Sequence, residues 1–217
     1  MNVLLIALLV VALCVPIYLY AQPNTKSLRL AESTNLESLF VSEASYWLSE
    51  KYDGVRAFWD GTRLWTRQGN RIQPPNWFTT DLPKVPLDGE LWLGRGQFEA
   101  LSGIVRTQTP VDTDWQKVKF MVFDLPEAET LFEQRQQALS QLIREANLPH
   151  LIQVKQLKIE KPEQLQTLFK QLVNAGAEGI MLNSPGGRYK IGRDKTLLKL
   201  KPFSDDEAEV LAHIEGR

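Results

Sequence analysis

Apolar and polar side chains alternate on both sides of Asp60-Gly61, over Val55–Trp59 and Arg63–Arg67, and the pattern predicts a β-hairpin turning at that dipeptide. Short apolar-rich runs predict further strands at Ser45–Glu50, Leu87–Leu93, Val118–Asp124, Leu151–Leu157, Gly179–Asn183 and Thr196–Leu200. Helical spacing predicts helices over Phe98–Val105, Glu129–Ala146 and Pro162–Ala175. In the second of these, Leu131, Phe132, Ala138, Leu139, Leu142 and Ile143 recur at three- and four-residue intervals. The third has Pro162 near its start and Gly176 just past its end, the usual asymmetry of helix termini. Pro185-Gly186-Gly187 reads as a loop, and the polar residues 22–35 as a linker into the domain. Strands and helices in this mixture give an α/β (α+β) fold class.

The chain opens differently. Val3 to Val15 form an unbroken apolar run, and no charged side chain precedes Lys26. That length suits a signal peptide, so residues 1–21 are expected to be a cleaved export signal. An uncleaved membrane anchor is the alternative, because Tyr18 and Tyr20 extend the run to Ala21 in spite of Pro16. Leu19-Tyr20-Ala21 meets the cleavage pattern only at its final alanine, and bulky Leu13 argues against lipid attachment at Cys14. Cys14 is the sole cysteine, so cleavage after Ala21 leaves a thiol-free protein, in keeping with an oxidising compartment such as the periplasm.

Composition sets bounds on the rest. A chain of 217 residues with 43% apolar content builds one sizeable domain, or a large and a very small one. A net charge of −1 counts against a broadly basic nucleic-acid binder. The distribution is more informative: Arg188, Lys190, Arg193, Lys195, Lys199 and Lys201 face a single acid, Asp194, within one short stretch. Arg56, Arg63, Arg67 and Arg71 form a second group, while Asp205-Asp206-Glu207 and Glu209 offset the total. A duplex needs a local basic stripe, not a basic protein. No zinc-ligand spacing, phosphate-cradling glycine loop or Ser–His–Asp set is visible, and His150 and His213 belong to no pattern.

The richest chemistry lies at Lys51-Tyr52-Asp53-Gly54-Val55-Arg56, which sets a lysine beside an acid, a flexible glycine and an arginine. A lysine attacks phosphorus only when neutral. At pH 7 and an ordinary pKa, neutralising it costs about 4–5 kcal/mol, so cations or desolvation must assist. Downstream follow Thr66-Arg67-Gln68-Gly69, Leu87-Asp88-Gly89-Glu90-Leu91, Phe120-Met121-Val122-Phe123-Asp124, Glu178-Gly179-Ile180-Met181 and Leu198-Lys199-Leu200-Lys201. Six such elements in this order resemble the ATP-dependent DNA ligases of the covalent nucleotidyltransferase superfamily. The run Gly89 to Glu99 looks typical of the minimal exported bacterial ligases, the ligase E type.

The resemblance implies a role for each residue. Lys51 would form the lysyl–AMP phosphoramide, and Arg56 would steady the nucleotide or the phosphate of the DNA end. Arg67 would fork onto a 5′-phosphate. Glu90 resembles the ribose contact and Phe123 the ring that stacks on adenine, a contact worth about 1–3 kcal/mol. Glu178 resembles the carboxylate serving Mg²⁺ or Mn²⁺. Lys199 and Lys201, two apart on a strand, share a face and would neutralise the triphosphate and help Lys51 lose its proton. Arg188, Lys190 and Arg193 would contact the duplex.

The implied fold is an ATP-grasp-like nucleotidyltransferase domain over residues 36–204, built on antiparallel sheets with ATP between them. The implied reaction seals nicked double-stranded DNA with ATP, in a monomer needing no obligate protein partner. Residues 205–217 read as the start of a link to an OB-fold domain that the resemblance leads one to look for. Without it, self-adenylylation is expected to be impaired, because that domain carries the motif that orients pyrophosphate. An RNA ligase and a non-catalytic remnant that binds nicked DNA or nucleotide are the rival readings; a capping guanylyltransferase shares two elements but an exported bacterial-looking chain has no caps to make, and an NAD-dependent ligase is disfavoured because the stretch before Lys51 is mostly signal and linker.

Overall fold

Two sheets, each with one apolar and one polar face, organise the computed structural model, which describes residues 28–40, 45–126 and 129–202. The strands are β1 (Arg29–Ser33), β2 (Tyr46–Glu50), β3 (Val55–Trp59), β4 (Leu64–Thr66), β5 (Arg71–Ile72) and β6 (Leu87–Trp92). They continue with β7 (Lys119–Asp124), β8 (Leu151–Gln153), β9 (Leu157–Ile159), β10 (Ile180–Asn183) and β11 (Gly192–Leu200). The helices are α1 (Leu36–Phe40), α2 (Asn76–Thr79), α3 (Phe98–Arg106), α4 (Asp112–Trp115), α5 (Phe132–Ala146) and α6 (Pro162–Asn174). One sheet has the order β1-β11-β10-β2-β9, the other β5-β4-β3-β6-β7-β8. Every pairing is antiparallel except β1 with β11 and β7 with β8.

Alternation along the strands separates core from cleft. In the six-stranded sheet, Ala57, Trp59, Leu87, Leu91, Phe120 and Val122 point into a core shared with α3 and α5. In the five-stranded sheet, Leu48, Ile180, Leu182 and Leu200 pack with Leu165 and Phe169 of α6 and with Leu39 of α1. Each fully buried side chain of this kind contributes roughly 1.5–3 kcal/mol. The layers therefore run helix, sheet, cleft, sheet, helix, with the intervening residues of every strand left for the cleft.

Two glycines permit this spacing. A Cβ on Gly89 would lie 2.6 Å from the Met121 carbonyl oxygen and from the Phe120 ring, beside the bulge where β6 meets β7. One on Gly54 would lie 2.2 Å from the Leu91 carbonyl oxygen, so only glycine lets the segment after Lys51 cross β6 this closely.

The structure departs from expectation in three places. Residues 29–33, assigned to a linker by their polarity, form β1 and pair with β11 over a long sequence separation, a contact invisible to local periodicity. The expected strand Leu151–Leu157 is two strands in different sheets, β8 and β9, and the chain crosses the molecule between them. Helix α5 begins at Phe132 because Leu131 is extended and bridged to Arg188. The apolar run near the N-terminus and residues 203–217 lie outside the described residues. Among the described residues no helix is long and apolar enough to cross a membrane.

Candidate active site

Between the sheets lies a cleft of about 370 Å³. The six-stranded sheet turns Arg56, Asp88, Glu90 and Phe123 into it, and the five-stranded sheet turns in Ser49, Met181, Asn183 and Lys199. Lys51 follows β2 directly, and its backbone N–H donates to the Gly179 carbonyl at 2.9 Å. That bond sets Lys51 beside Glu178. The Lys51 ammonium pairs with Glu178 Oε2, and Lys201 Nζ lies 2.5 Å from Oε1 of the same carboxylate. Burial works to raise the Glu178 carboxyl, but the hydrogen bonds from Lys201 and Lys51 prevail and hold it below the usual range. Lys199 is shifted down by burial and by the charges of Lys201, Lys51, Arg193 and Arg67. Strand alternation thus gathers cations where a polyphosphate would need them.

Arg56 is committed within the protein. Its Nε and Nη2 donate to the two Asp88 oxygens at 2.8 and 2.7 Å, and Nη2 also donates to the Arg29 carbonyl at 3.1 Å. Its guanidinium carbon sits 4.7 Å from the centre of the Phe123 ring, a cation–π contact that fixes the ring in the cleft. Burial opposes its charge, yet Asp88 outweighs burial and holds it more firmly protonated than usual. Glu90 is the reverse case. Burial pushes its carboxyl up to about 8, against the opposing pull of Arg56 and Lys51.

Behind the cleft a buried polar network joins the sheets. Arg29, 1% exposed, donates to Asp194 at 2.7 Å, Asn183 at 2.8 Å and Thr196 at 2.9 Å, and lies 3.5 Å from Asp124. Arg135 of α5 forks onto Asp124 at 2.6 and 3.0 Å. Tyr189 donates to Asp88 at 2.7 Å. At the rim, Arg95 makes a bidentate pair with Glu50, 2.9 Å for each bond, and donates to the Ala175 carbonyl at 2.7 Å. Tyr52 stands edge-on to Trp92, with ring centres 5.1 Å apart.

Of the residues singled out in the sequence, Lys51, Arg56, Arg67, Glu90, Phe123, Arg193, Lys199 and Lys201 all line the cleft, and Glu178 touches it through its two lysines. Arg188 and Lys190 do not line it; Arg188 pairs with Glu129 at 2.7 Å. The sequence assigns no role to Arg29, Arg135 or Asn183, and marks Asp88, Asp124 and Asp194 only as members of a motif or of the basic stretch. One signal for them existed: a charge inside an apolar stripe, such as Arg135 between Phe132 and Leu139 of α5. Arg29 offered no such signal.

The Phe123 ring facing the cleft, a lysine at a fixed strand end and clustered cations are the arrangement of a nucleotidyltransferase domain. The ATP dependent DNA ligase domain family matches residues 29–201. A DNA ligase from Haemophilus influenzae is 35% identical over 170 residues, covering 78% of this chain and 63% of that protein. This chain thus spans less than two thirds of that relative's length. A solved structure of a Lig E DNA ligase superposes with TM-score 0.78 at 40% identity, covering 88% of this chain and 74% of that one. The Chlorella virus DNA ligase–adenylate shares the fold at TM-score 0.69 and 22% identity, over 81% of this chain and 67% of its own. The chain belongs to the ATP-dependent DNA ligase domain family.

Proposed function

We propose that this protein seals nicks in duplex DNA with ATP, through an AMP carried on Lys51. The observation that carries the reading is the position of Lys51: fixed by its backbone bond to Gly179, facing the cleft, and ringed by Glu178, Lys199 and Lys201. Lys51 Nζ, once deprotonated, attacks the α-phosphorus of ATP; the new N–P bond forms as the bond to pyrophosphate breaks. The 5′-phosphate oxygen of the nick then takes AMP from Lys51, and the 3′-hydroxyl displaces AMP to close the strand. Each transfer is in line at phosphorus, so positioning and charge neutralisation dominate. Lys199 and Lys201 meet the phosphate charge, Phe123 offers a stacking face, and Arg67 takes the 5′-phosphate.

Among the described residues no three His, Cys, Asp or Glu side chains gather into a metal site. Glu178, whose carboxylate Lys51 and Lys201 hold ionised, would be the protein's ligand to Mg²⁺, a cation commonly held by one or two carboxylates plus substrate phosphates. Bound there, the cation would supply further neutralisation of the phosphates. The apolar run Val3–Val15 supports export to the periplasm.

Incubation with labelled ATP and Mg²⁺ should place one AMP on Lys51 by peptide mapping, and Lys51→Ala should abolish it. An adduct on another lysine, with Lys51 unmodified, overturns the assignment. Transfer to a nicked DNA duplex should exceed transfer to the RNA equivalent.

A further inference from the structure

Between β8 and β9 the chain leaves one sheet for the other, and residues 154–156 cross beside the end of the cleft where Phe123 stands. The Val154 N–H donates to the Val122 carbonyl at 2.8 Å, which continues the β7–β8 pairing by one residue and sets Val154 alongside Phe123. Val154 is only 2% exposed, yet it belongs to neither apolar core. It has a space on each side. One is the cleft; the other is a groove of about 490 Å³ between the crossing residues and α5, walled by Trp47, Gln136, Ser140 and Gln153. Among the described residues, Val154 alone lines both.

The frame around Val154 is held from several sides. Gln136 on α5 donates from Nε2 to the Phe123 carbonyl at 2.8 Å, and Gln153 Nε2 donates to the Gln136 backbone and side-chain oxygens at 3.1 and 3.2 Å. Trp47 on β2 donates to Glu133 at 2.9 Å, which ties the same helix to the other sheet. With the backbone fixed in this way, the reach of the Val154 side chain decides where that end of the cleft stops. Valine suits a stop, because its branched Cβ leaves it little freedom to swing aside.

We propose that Val154 is a specificity-determining residue: its two methyl groups close the base end of the cleft and set the largest base that fits against Phe123. The inference rests on the reading of the cleft as the ATP site and adds a size limit to it. Shortening Val154 to alanine would not leave a sealed void, because the outer groove lies directly behind. It would open a passage into which a substituent on the base can extend. An apolar pocket discriminates by about 10–200-fold for one methylene, so such a limit is measurable.

The test compares the dissociation constants of ATP, N6-benzyl-ATP, 2-methylthio-ATP and 8-bromo-ATP by calorimetry. The protein is first stripped of any AMP with pyrophosphate and Mg²⁺, and binding is then measured without Mg²⁺ so that no AMP transfer occurs. Val154→Ala should raise the affinity of at least one analogue relative to ATP by about tenfold or more, and the analogue that gains marks the edge of the base facing Val154. Val154→Ile should move that ratio the other way and weaken ATP itself, since the added methylene overfills a fixed frame. Affinity for inorganic tripolyphosphate, which meets only the lysine end, should stay within about twofold in both variants, as expected for distant sites. No gain for any analogue in Val154→Ala, ratios moving the same way in both variants, or an equal fall for ATP, analogues and tripolyphosphate overturns the partition. Labelling of wild-type Lys51 by ATP and Mg²⁺ is a separate readout. Its failure sinks the nick-sealing reading and leaves the affinity ratios to decide Val154, whereas a wild type that binds no ATP sinks both.

Discussion

At the scale of single residues, Glu90 shows how one carboxyl serves two demands. Its place on β6 aims it into the cleft, and the burial that comes with that place pushes its pKa up to about 8 from an ordinary 4.5. Below about 4.5 the carboxyl is protonated whether the chain is folded or not. Between 4.5 and 8 the unfolded chain gives up a proton that the folded chain keeps, so folded stability falls as pH rises, and the full penalty is present above 8. Discounted for the side chain's partial contact with solvent, that penalty is on the order of 1–3 kcal/mol. Glu90→Gln should therefore flatten the stability profile between pH 5 and 9 and be the more stable protein at the alkaline end, by urea denaturation. Parallel profiles for the two proteins would sink this account of Glu90. The motif residues were legible in the sequence because their chemistry needs particular side chains in a particular order. Their supports were not: Asp88 holding Arg56, or Asp124 holding Arg135, is a pairing across the fold, and a lone sequence marks only that a charge interrupts an apolar run.

Elements act here through the joints between them. Arg95, in the segment after β6, grips Glu50 at the end of β2 and the Ala175 carbonyl at the end of α6. Glu50 immediately precedes Lys51, and Ala175 leads within three residues to Glu178. One guanidinium thus spaces the two sides of the Lys51–Glu178 pair. The ion pair lies at the rim, so its removal should cost little stability, within about 1 kcal/mol. Arg95→Ala should nonetheless slow AMP transfer to Lys51 tenfold or more at saturating ATP, with ATP affinity changed far less. Arg95→Lys should not rescue it, since lysine cannot fork onto Glu50 while also reaching Ala175. Equal losses in rate and in melting temperature for Ala and Lys would mean that the contact is only structural. At this scale β3 is legible from its alternation, and β6, β7 and β10 from short apolar-rich runs bounded by polar residues or glycine, so their expected bounds lie close to the observed ones. Strand β1 was missed because its key residue is a buried arginine, and β8 and β9 were merged because the chain changes sheets without a turn signal.

For the whole molecule, the notable feature is that the apolar cores of the described residues form two separate clusters. One core belongs to the six-stranded sheet with α3 and α5, the other to the five-stranded sheet with α1 and α6. Between them stand Arg29 and its partners: Asp194 and Thr196 on β11, Asn183 on β10, and Asp124 on β7, which Arg135 holds from α5. An apolar seam would bind the sheets more cheaply, but it would fill the cleft between them. A buried ion network holds the cleft open at a defined width, and its weakness is that removing one member strands the others. Arg29→Met leaves Asp194 without its cation in a buried site, held only by the two Thr196 hydrogen bonds, and takes a cation from Asp124, a loss of about 3–5 kcal/mol. The cost should appear as lost cooperativity as well as lost stability. Wild type should unfold in one transition, because the network couples the cores. In Arg29→Met, amides of β10 and β11 should exchange with solvent through an opening of lower free energy than amides of β6 and β7, and Trp59 and Trp115 fluorescence should report a later transition than the five-stranded sheet does. ATP, on the proposal that it binds between the sheets, should narrow that gap: a ligand at 100 times its dissociation constant stabilises the closed form by about 2.7 kcal/mol. If both sets of amides in Arg29→Met still exchange with one common free energy, the cores are coupled by something other than this network.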